Sequence, residues 1–173
     1  VIVSRARPVF FLDYLSFGNL DQEVVEGLVR GMAEACSRAS CALVGGESAE
    51  MPGLYRDGEF DVAGFVVGVV ERKDLPDSTA VREGDVLVGI PSSGLHTNGF
   101  ALVRSVLELD KDPSSLHQHE PALGQTLGDV LLTPHRPYFP LLEPVFSLVK
   151  TMAHITGGGL VENLPRALPA GLG

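Results

Sequence analysis

The sequence predicts an α/β (α+β) fold, because apolar segments typical of strands alternate with segments of helical periodicity. Residues 8–15 and 61–70 are nearly continuous apolar runs, whereas residues 22–39 repeat apolar side chains at helical spacing. The chain has 173 residues, 45% of them hydrophobic and 20% charged, which is the composition of a globular protein with a substantial core. This length fits one domain or two small ones.

Charge and hydropathy argue against two classes of partner. The formal net charge is −9, and an acidic protein is poorly suited to general nucleic-acid binding, although backbone N–H groups can still bind a phosphorylated ligand. No apolar run reaches the roughly 20 residues that a membrane span needs. Two cysteines are too few for a disulfide framework, so we expect a cytoplasmic protein with Cys36 buried and inert in a helix.

Both ends of the chain have the features of internal sequence. The first residues, VIV, are expected to lie within a strand, and the last residues follow a helical pattern. We therefore expect the chain to be part of a longer protein, for which an absent targeting signal says little.

The first half is predicted to contain three strands and one helix. Residues 8–15 form a buried strand with one acid in it, and Asp21 is placed to cap the helix of residues 22–39. Residues 41–44 form a short strand that ends at a glycine turn, and residues 61–70 form a strand covered on both faces.

A polar stretch over residues 71–84 is the best candidate for a linker between domains. The sequence after it predicts a new strand and several helices. Pro140 and Pro144 should make one of these helices short or kinked. The predicted elements are a strand at residues 85–91 and helices at residues 99–109, from 126, within 138–150 and after 159.

Asp13 lies inside the apolar segment FFLDY. A carboxylate in such a strand is costly unless it is paired, hydrogen-bonded or bound to a cation. A Mg²⁺ ion shared with nucleotide phosphates would offset that cost. A structural salt bridge or a capping role at the strand end is the alternative.

The segment GGESAEMPG follows a strand. Gly45 and Gly46 permit a tight turn and the close approach of a ligand. Glu47 and Glu50 could bind a metal ion or accept hydrogen bonds from a substrate amine. A solvated turn in which both acids are inert is equally consistent with the spacing.

The segment SSGLHTNGF predicts a turn before a helix, so its polar residues could simply cap that helix. His96 and Asn98 also have side chains that are suited to catalysis. A histidine can exchange a proton near neutral pH, and an asparagine can orient an amide or amidine by paired hydrogen bonds.

The segment HITGGG places Gly157, Gly158 and Gly159 before a helix, with His154 nearby. Exposed N–H groups at the start of a helix favour phosphate or another anion. The pattern is not a Walker motif, and a flexible turn is the alternative. The remaining histidines, His117, His119 and His135, are expected in solvated loops.

Together and in this order, FFLDY, GGESAEMPG, SSGLHTNGF and HITGGG closely resemble the aminoimidazole ribonucleotide synthetase (phosphoribosylformylglycinamidine cyclo-ligase) family. The segment QTLGDVLLTPHRPY is also similar to that family's second domain. The resemblance implies the later part of an ATP-binding, dimer-forming domain at residues 1–72, a linker at 73–83 and the earlier part of a second domain at 84–173. Ser48 replaces the family's usual threonine, and the family's N-terminal ATP-contacting segment would lie upstream of Val1.

The resemblance implies ATP-dependent closure of formylglycinamidine ribonucleotide to aminoimidazole ribonucleotide, in purine biosynthesis, by a cytoplasmic homodimer that binds Mg²⁺. Asp13 and Glu50 would bind the metal ion and, with Gly45 and Gly46, the nucleotide. His96, Asn98 and Glu47 would serve catalysis. The glycines of HITGGG, with His154, would bind the 5′-phosphate or another anion.

Two other functions remain open at this point. The chain could belong to a sister ATP-using enzyme, such as the formylglycinamidine ribonucleotide amidotransferase. It could also be a partial domain that binds nucleotide or a partner without catalysis.

Overall fold

The computed structural model describes residues 1–172, and their contacts divide the chain into two compact units. The first comprises Val1–Val81, Pro137–His154 and the residues from Ala167 on. The second comprises Arg82–Arg136 and Ile155–Arg166. The contacts thus group Pro137–His154 with the first unit, while the division of the chain into domains at residues 73–83 stays a prediction.

A three-stranded sheet forms the centre of the first unit. Its strands are β1 (Arg7–Phe17), β2 (Ala42–Glu50) and β3 (Phe60–Val69), in the order β2-β1-β3. β1 pairs with β2 in parallel and with β3 in antiparallel orientation. Strands are present where they were predicted, at residues 8–15 and 61–70, and the mixed helices and strands confirm the predicted fold class. β1 is not buried along its length, since Val9 and Leu12 are exposed.

Helix α1 (Gln22–Arg38) connects the two parallel strands, as such a connection requires. The Asp21 side chain accepts hydrogen bonds from the backbone N–H groups of Glu23 and Val24, which confirms the predicted N-cap. At the other end Ser40 takes a left-handed φ of 55°, and the N–H of Cys41 donates to the Cys36 carbonyl at 2.9 Å. This turn returns the chain to the sheet.

The core of the first unit lies at the carboxyl end of β1. Leu15, Ser16 and Phe17 are all buried there, and the Phe17 and Phe60 rings have centroids 6.0 Å apart. The start of the unit differs from its prediction. Ile2–Ser4 is a 3-10 helix and not a strand, and it ends at Arg5 with a left-handed φ of 57°. The Arg5 guanidinium then donates to the backbone carbonyls of Val149, Lys150 and Asp74.

Two further predictions for this unit are corrected. GGESAE does not form a turn, because β2 continues through it to Glu50. The strand pairing instead has an irregularity in register between Phe11 and Leu12, whose partners on β2 are Leu43 and Gly45. β3 is not covered on both faces. Most of its residues are exposed, including Phe65 at 61% and Val69 at 62%. The apolar sequence of β3 therefore forms open surface within the described chain.

Short elements make up the rest of the molecule. The predicted interruption near Pro140 and Pro144 is confirmed, since α4 (Phe139–Leu142) passes directly into a 3-10 helix at Glu143–Leu148. In the second unit the remaining helices and strands are α2 (Phe100–Val106), β4 (His119–Glu120), β5 (Gln125–Thr126), α3 (Leu127–Leu131) and α5 (Gly159–Asn163). No helix among the described residues is long and apolar enough to cross a membrane.

The strand predicted at residues 85–91 is absent from the structure. Val86 and Val88 are 84% and 82% exposed, so this apolar segment has neither a paired strand nor a covering layer in the described chain. Backbone groups form a strand only when a neighbour completes their hydrogen bonds, and sequence alone does not supply that neighbour.

Candidate functional site

Asp13 lies at the centre of the sheet between two glycines. It is opposite Gly46 on β2 and opposite Gly64 on β3. A Cβ atom at Gly46 would collide with the Asp13 carboxylate and carbonyl oxygen, and one at Gly64 would collide with the Phe11 ring. Gly46 is therefore required to make room for the carboxylate, which explains one of the two glycines singled out in the sequence.

The Asp13 carboxylate also influences the end of helix α1. The pKa of the Cys36 thiol is raised, first by burial, then by Cys41, which also forms a side-chain hydrogen bond with it, and then by the Asp13 charge. Both cysteines are free thiols. A buried thiol with a raised pKa stays protonated near neutral pH, which agrees with the predicted inert role of Cys36.

Glu50 has a different position from the one that a shared metal site with Asp13 would suggest. It lies opposite Phe17, four residues further along the strands, which is about 13 Å at roughly 3.3 Å per residue. Its Oε1 atom accepts a hydrogen bond from the backbone N–H of Leu20 at 2.7 Å. Glu50 thus fixes the loop between β1 and α1, and the two carboxylates do not form a contacting pair.

Glu47 projects from the other face of the sheet, because side chains alternate along a strand and Glu47 lies opposite Tyr14. Its carboxylate accepts a hydrogen bond from the N–H of Ser48 at 3.1 Å and is exposed. Among the described residues no three or more His, Cys, Asp or Glu side chains cluster as a metal site. A Mg²⁺ ion here would need oxygen ligands from phosphate or water as well.

In the second unit, His96 is held by the turn that precedes α2. Its Nε2 atom accepts a hydrogen bond from the backbone N–H of Ser93 at 3.3 Å and lies 3.2 Å from the Ser93 hydroxyl. That hydroxyl also donates to the Pro134 carbonyl and accepts from the Arg136 N–H. Because Nε2 accepts, a neutral imidazole holds its proton on Nδ1.

The ring of His96 stacks against that of His135, with centroids 3.7 Å apart and planes inclined by 37°. His135 lies in an exposed loop, as expected, and its ring also contacts that of His96. A signal was present in the sequence, since QTLGDVLLTPHRPY places this histidine inside a segment that resembles the family. The ring limits the positions open to His96.

Asn98 and the glycine loop come together in the same unit. The Asn98 side-chain amide donates to the hydroxyl of Thr156, although the two residues lie 58 positions apart. The segments SSGLHTNGF and HITGGG are therefore in contact. Asn98 itself is exposed.

The glycine loop has the backbone geometry that only glycine adopts readily. Gly158 and Gly159 have φ values of 88° and 63°, and the N–H of Gly159 donates to the Thr156 carbonyl at 2.9 Å. The side-chain amide of Asn163 donates to carbonyls of the loop from beneath, and Asn163 is only 3% exposed. No local pattern in the sequence distinguishes Asn163.

Two residues, Glu162 and His154, bear on anion binding by the glycine loop. The Glu162 carboxylate folds back against Gly158, so closely that a Cβ atom there would collide with it. A negative group at this position opposes a bound anion electrostatically. His154, the other predicted anion ligand, is exposed and belongs by its contacts to the first unit.

Comparisons with known proteins agree with this arrangement of motifs. Residues 1–70 match the model of the AIR synthase related protein, N-terminal domain, and residues 82–173 match the model of its C-terminal domain. The chain belongs to the AIR synthase family.

Individual members of the AIR synthase family resemble this chain along nearly all of its length. A phosphoribosylformylglycinamidine cyclo-ligase of Brevibacillus brevis is 51% identical over 174 residues, which are 99% of this chain and 50% of that protein. Cyclo-ligases of Desulfitobacterium hafniense and Sorangium cellulosum are also 51% identical, over 100% of this chain and 50% and 51% of their own lengths. The chain therefore spans about half the length of these relatives.

Proposed function

We propose that the full-length protein encoded by the same gene closes the ring of formylglycinamidine ribonucleotide with ATP, giving aminoimidazole ribonucleotide, ADP and phosphate, a step of purine biosynthesis. The observation that supports this most directly is the contact of Asn98 with Thr156, which unites SSGLHTNGF and HITGGG in one site. Relatives that are 51% identical to this chain are named phosphoribosylformylglycinamidine cyclo-ligase.

Ring closure must overcome a poor leaving group. The formyl amide oxygen leaves only after it has been phosphorylated at the expense of ATP, and the amidine nitrogen then attacks the activated carbon as phosphate departs. The residues needed are a group that orients the amide and amidine, a group that handles protons, and donors that bind the phosphorylated substrate.

The second unit offers each of these groups. Asn98 would orient the formyl amide or amidine through its side-chain carbonyl, because its amide N–H₂ is held by Thr156. His96, whose Nε2 atom faces Ser93, would handle protons or stabilise the developing charge. The N–H groups of Gly157 and Gly158 would supply donors for the 5′-phosphate or another anion, whereas the predicted donor Gly159 already bonds to the Thr156 carbonyl.

The first unit offers groups for nucleotide and Mg²⁺. The Asp13 carboxylate is half-buried beside Gly46, and no salt bridge involves it among the described residues. Carboxylate oxygen is the ligand type that Mg²⁺ prefers, and one oxygen of Glu50 remains after its bond to Leu20. When bound, the ion would neutralise charge on the transferred phosphoryl group. Asp13 and Glu50 would then act as separate ligands, because the register of β1 and β2 places them four residues apart along the strands.

The open sheet favours a homodimer. One face of the sheet presents exposed apolar side chains, because side chains alternate along a strand. These residues are Leu12, Phe65, Val67 and Val69. A continuous apolar face of this kind is typical of an interface between subunits. We propose that a second copy of the protein covers it.

The decisive experiment is coupled ADP release by the full-length protein with formylglycinamidine ribonucleotide, ATP and Mg²⁺. We expect release that depends on the ribonucleotide alone, and a loss of at least a hundredfold in kcat in Asn98→Leu. Release that requires glutamine or ammonia would instead identify an amidotransferase. Nucleotide binding without turnover in either assay would identify a non-catalytic binding protein.

A further inference from the structure

Asn163 makes three contacts with the glycine loop. Its Nδ2 atom lies 2.9 Å from the Gly157 carbonyl, 2.8 Å from the Gly159 carbonyl and 3.4 Å from the Thr156 carbonyl. A primary amide has two hydrogens, so the two short contacts are the full hydrogen bonds and the long one is secondary. The side chain is 3% exposed, so both donors are used inside the protein.

Arg166 fixes which way the Asn163 amide points. Its Nη1 atom donates to Oδ1 of Asn163 at 3.3 Å, which leaves Nδ2 directed towards the loop. Exchange of the oxygen and nitrogen positions would set a donor against the guanidinium and an acceptor against two carbonyls. The opposite orientation is therefore excluded by the contacts on both sides.

The direction of the carbonyls determines the direction of the N–H groups. The peptide bonds of the described chain are all trans, and in a trans peptide the C=O and the following N–H point in opposite directions. Asn163 draws the Gly157 and Gly159 carbonyls inwards, so the N–H groups of Gly158 and Leu160 turn outwards. The left-handed backbone of Gly158 and Gly159 permits this arrangement.

We propose that Asn163 is a positioning residue for the substrate, because it holds the glycine loop with its N–H groups facing outwards. Asn163 does not touch the substrate in this proposal. It acts through Gly158 and Leu160, whose N–H groups would meet an anionic group of the ribonucleotide. This role rests on the proposed function, since it names how the loop of that site is shaped for a phosphorylated ligand.

Two substitutions in the full-length protein test the role of Asn163. Asn163→Asp keeps the shape of the side chain but sets a carboxylate against two carbonyls, and Asn163→Ala removes both donors. Gln118→Glu is the matched control, because it makes the same amide-to-carboxylate change at an exposed position of the second unit. Circular dichroism and thermal unfolding identify any variant that fails to fold.

Steady-state kinetics separate positioning from general damage. We expect Asn163→Asp and Asn163→Ala to raise KM for formylglycinamidine ribonucleotide at least tenfold, with KM for ATP within about twofold of the unsubstituted protein. Gln118→Glu should change neither constant. A lower kcat with an unchanged KM for the ribonucleotide would show a merely structural role and would overturn the proposal.

Amide hydrogen exchange provides a readout that does not depend on the reaction. Peptides spanning residues 155–163 should exchange faster in Asn163→Asp than in Gln118→Glu, because the loop loses its two inner bonds. If the unsubstituted protein shows no cyclisation, the proposed function fails. If exchange in residues 155–163 is the same in all variants, Asn163 does not shape the loop and the inference fails, whatever the activity.

Discussion

The side-chain amide of Asn98 donates to the hydroxyl of Thr156, and this hydrogen bond joins the turn before α2 to the glycine loop before α5. Asn98 therefore presents its carbonyl oxygen in a fixed direction, because the amide nitrogen is already held. A residue that orients a reacting amide must itself be oriented, so Thr156 becomes part of the proposed catalytic arrangement.

Replacement of Thr156 by valine should release Asn98. The change removes the hydroxyl and keeps the branched shape, so we expect kcat/KM for ring closure to fall about fivefold to tenfold, which corresponds to roughly 1 kcal/mol for one hydrogen bond. Thr156→Ser keeps the hydroxyl and should stay within twofold of the unsubstituted protein. Equal rates for the valine and serine variants would exclude the role of the hydroxyl.

The carboxylate of Glu162 beside Gly158 leads to a prediction with a definite sign. If the glycine loop binds an anion, Glu162→Gln removes a repulsive charge and should lower KM for the ribonucleotide about threefold to tenfold, which corresponds to roughly 1 kcal/mol. The effect should shrink as salt rises. Glu83→Gln makes the same charge change at an exposed position. An unchanged or higher KM in Glu162→Gln would argue against an anion in this loop.

The close contact between Asp13 and Gly46 predicts that substitution by alanine has opposite effects on stability at Gly46 and at Gly27. Gly46→Ala places a methyl group against the Asp13 carboxylate and carbonyl, so it should lower the free energy of unfolding by about 1–3 kcal/mol. Gly27→Ala is the comparison, because that helical position is open, and it should raise stability by about 0.5–1 kcal/mol. Urea unfolding of both variants measures the difference. Similar stabilities would contradict the close contact.

The local elements were the part of the fold that sequence predicted well. Helix α1 was expected at residues 22–39 and occupies Gln22–Arg38, because its period and its Asp21 cap are both local properties. The segment at 85–91 failed for the opposite reason. An apolar run indicates side chains that favour burial. A strand also needs a neighbouring strand that completes its backbone hydrogen bonds, and the sequence does not identify that neighbour.

The same distinction applies to the site. His96, Asn98 and the three glycines were selected from their segments, but the contact that brings Asn98 to the glycine loop, through Thr156, joins residues 58 positions apart. Asn163 was missed because an asparagine near the end of a short helix has no unusual local pattern. Only its burial and its bonds to Gly157 and Gly159 distinguish it from a surface residue.

The two cysteines should differ in their reaction with iodoacetamide. Burial, the neighbouring Cys41 and the Asp13 charge together raise the pKa of the Cys36 thiol, and only the thiolate reacts. At pH 8 we expect alkylation of the half-buried Cys41 well before Cys36, and the rate at Cys36 should still rise above pH 9. Peptide mapping by mass spectrometry assigns each site, with Cys36→Ser as the control. Faster reaction at Cys36 would contradict its burial.

The apolar face of the sheet predicts the response of the assembly to a single charge. Phe65 lies opposite Leu12 at the centre of this face and is 61% exposed in the chain alone, so Phe65→Glu should place a carboxylate in the proposed subunit interface. We expect a dimer in sedimentation equilibrium of the full-length protein and a monomer for Phe65→Glu. Leu102→Glu introduces the same charge at an exposed apolar position of α2 in the second unit and should leave the dimer intact. A dimer that persists in Phe65→Glu would show that another surface joins the subunits, because an unpaired charge at the centre of an apolar interface costs several kcal/mol.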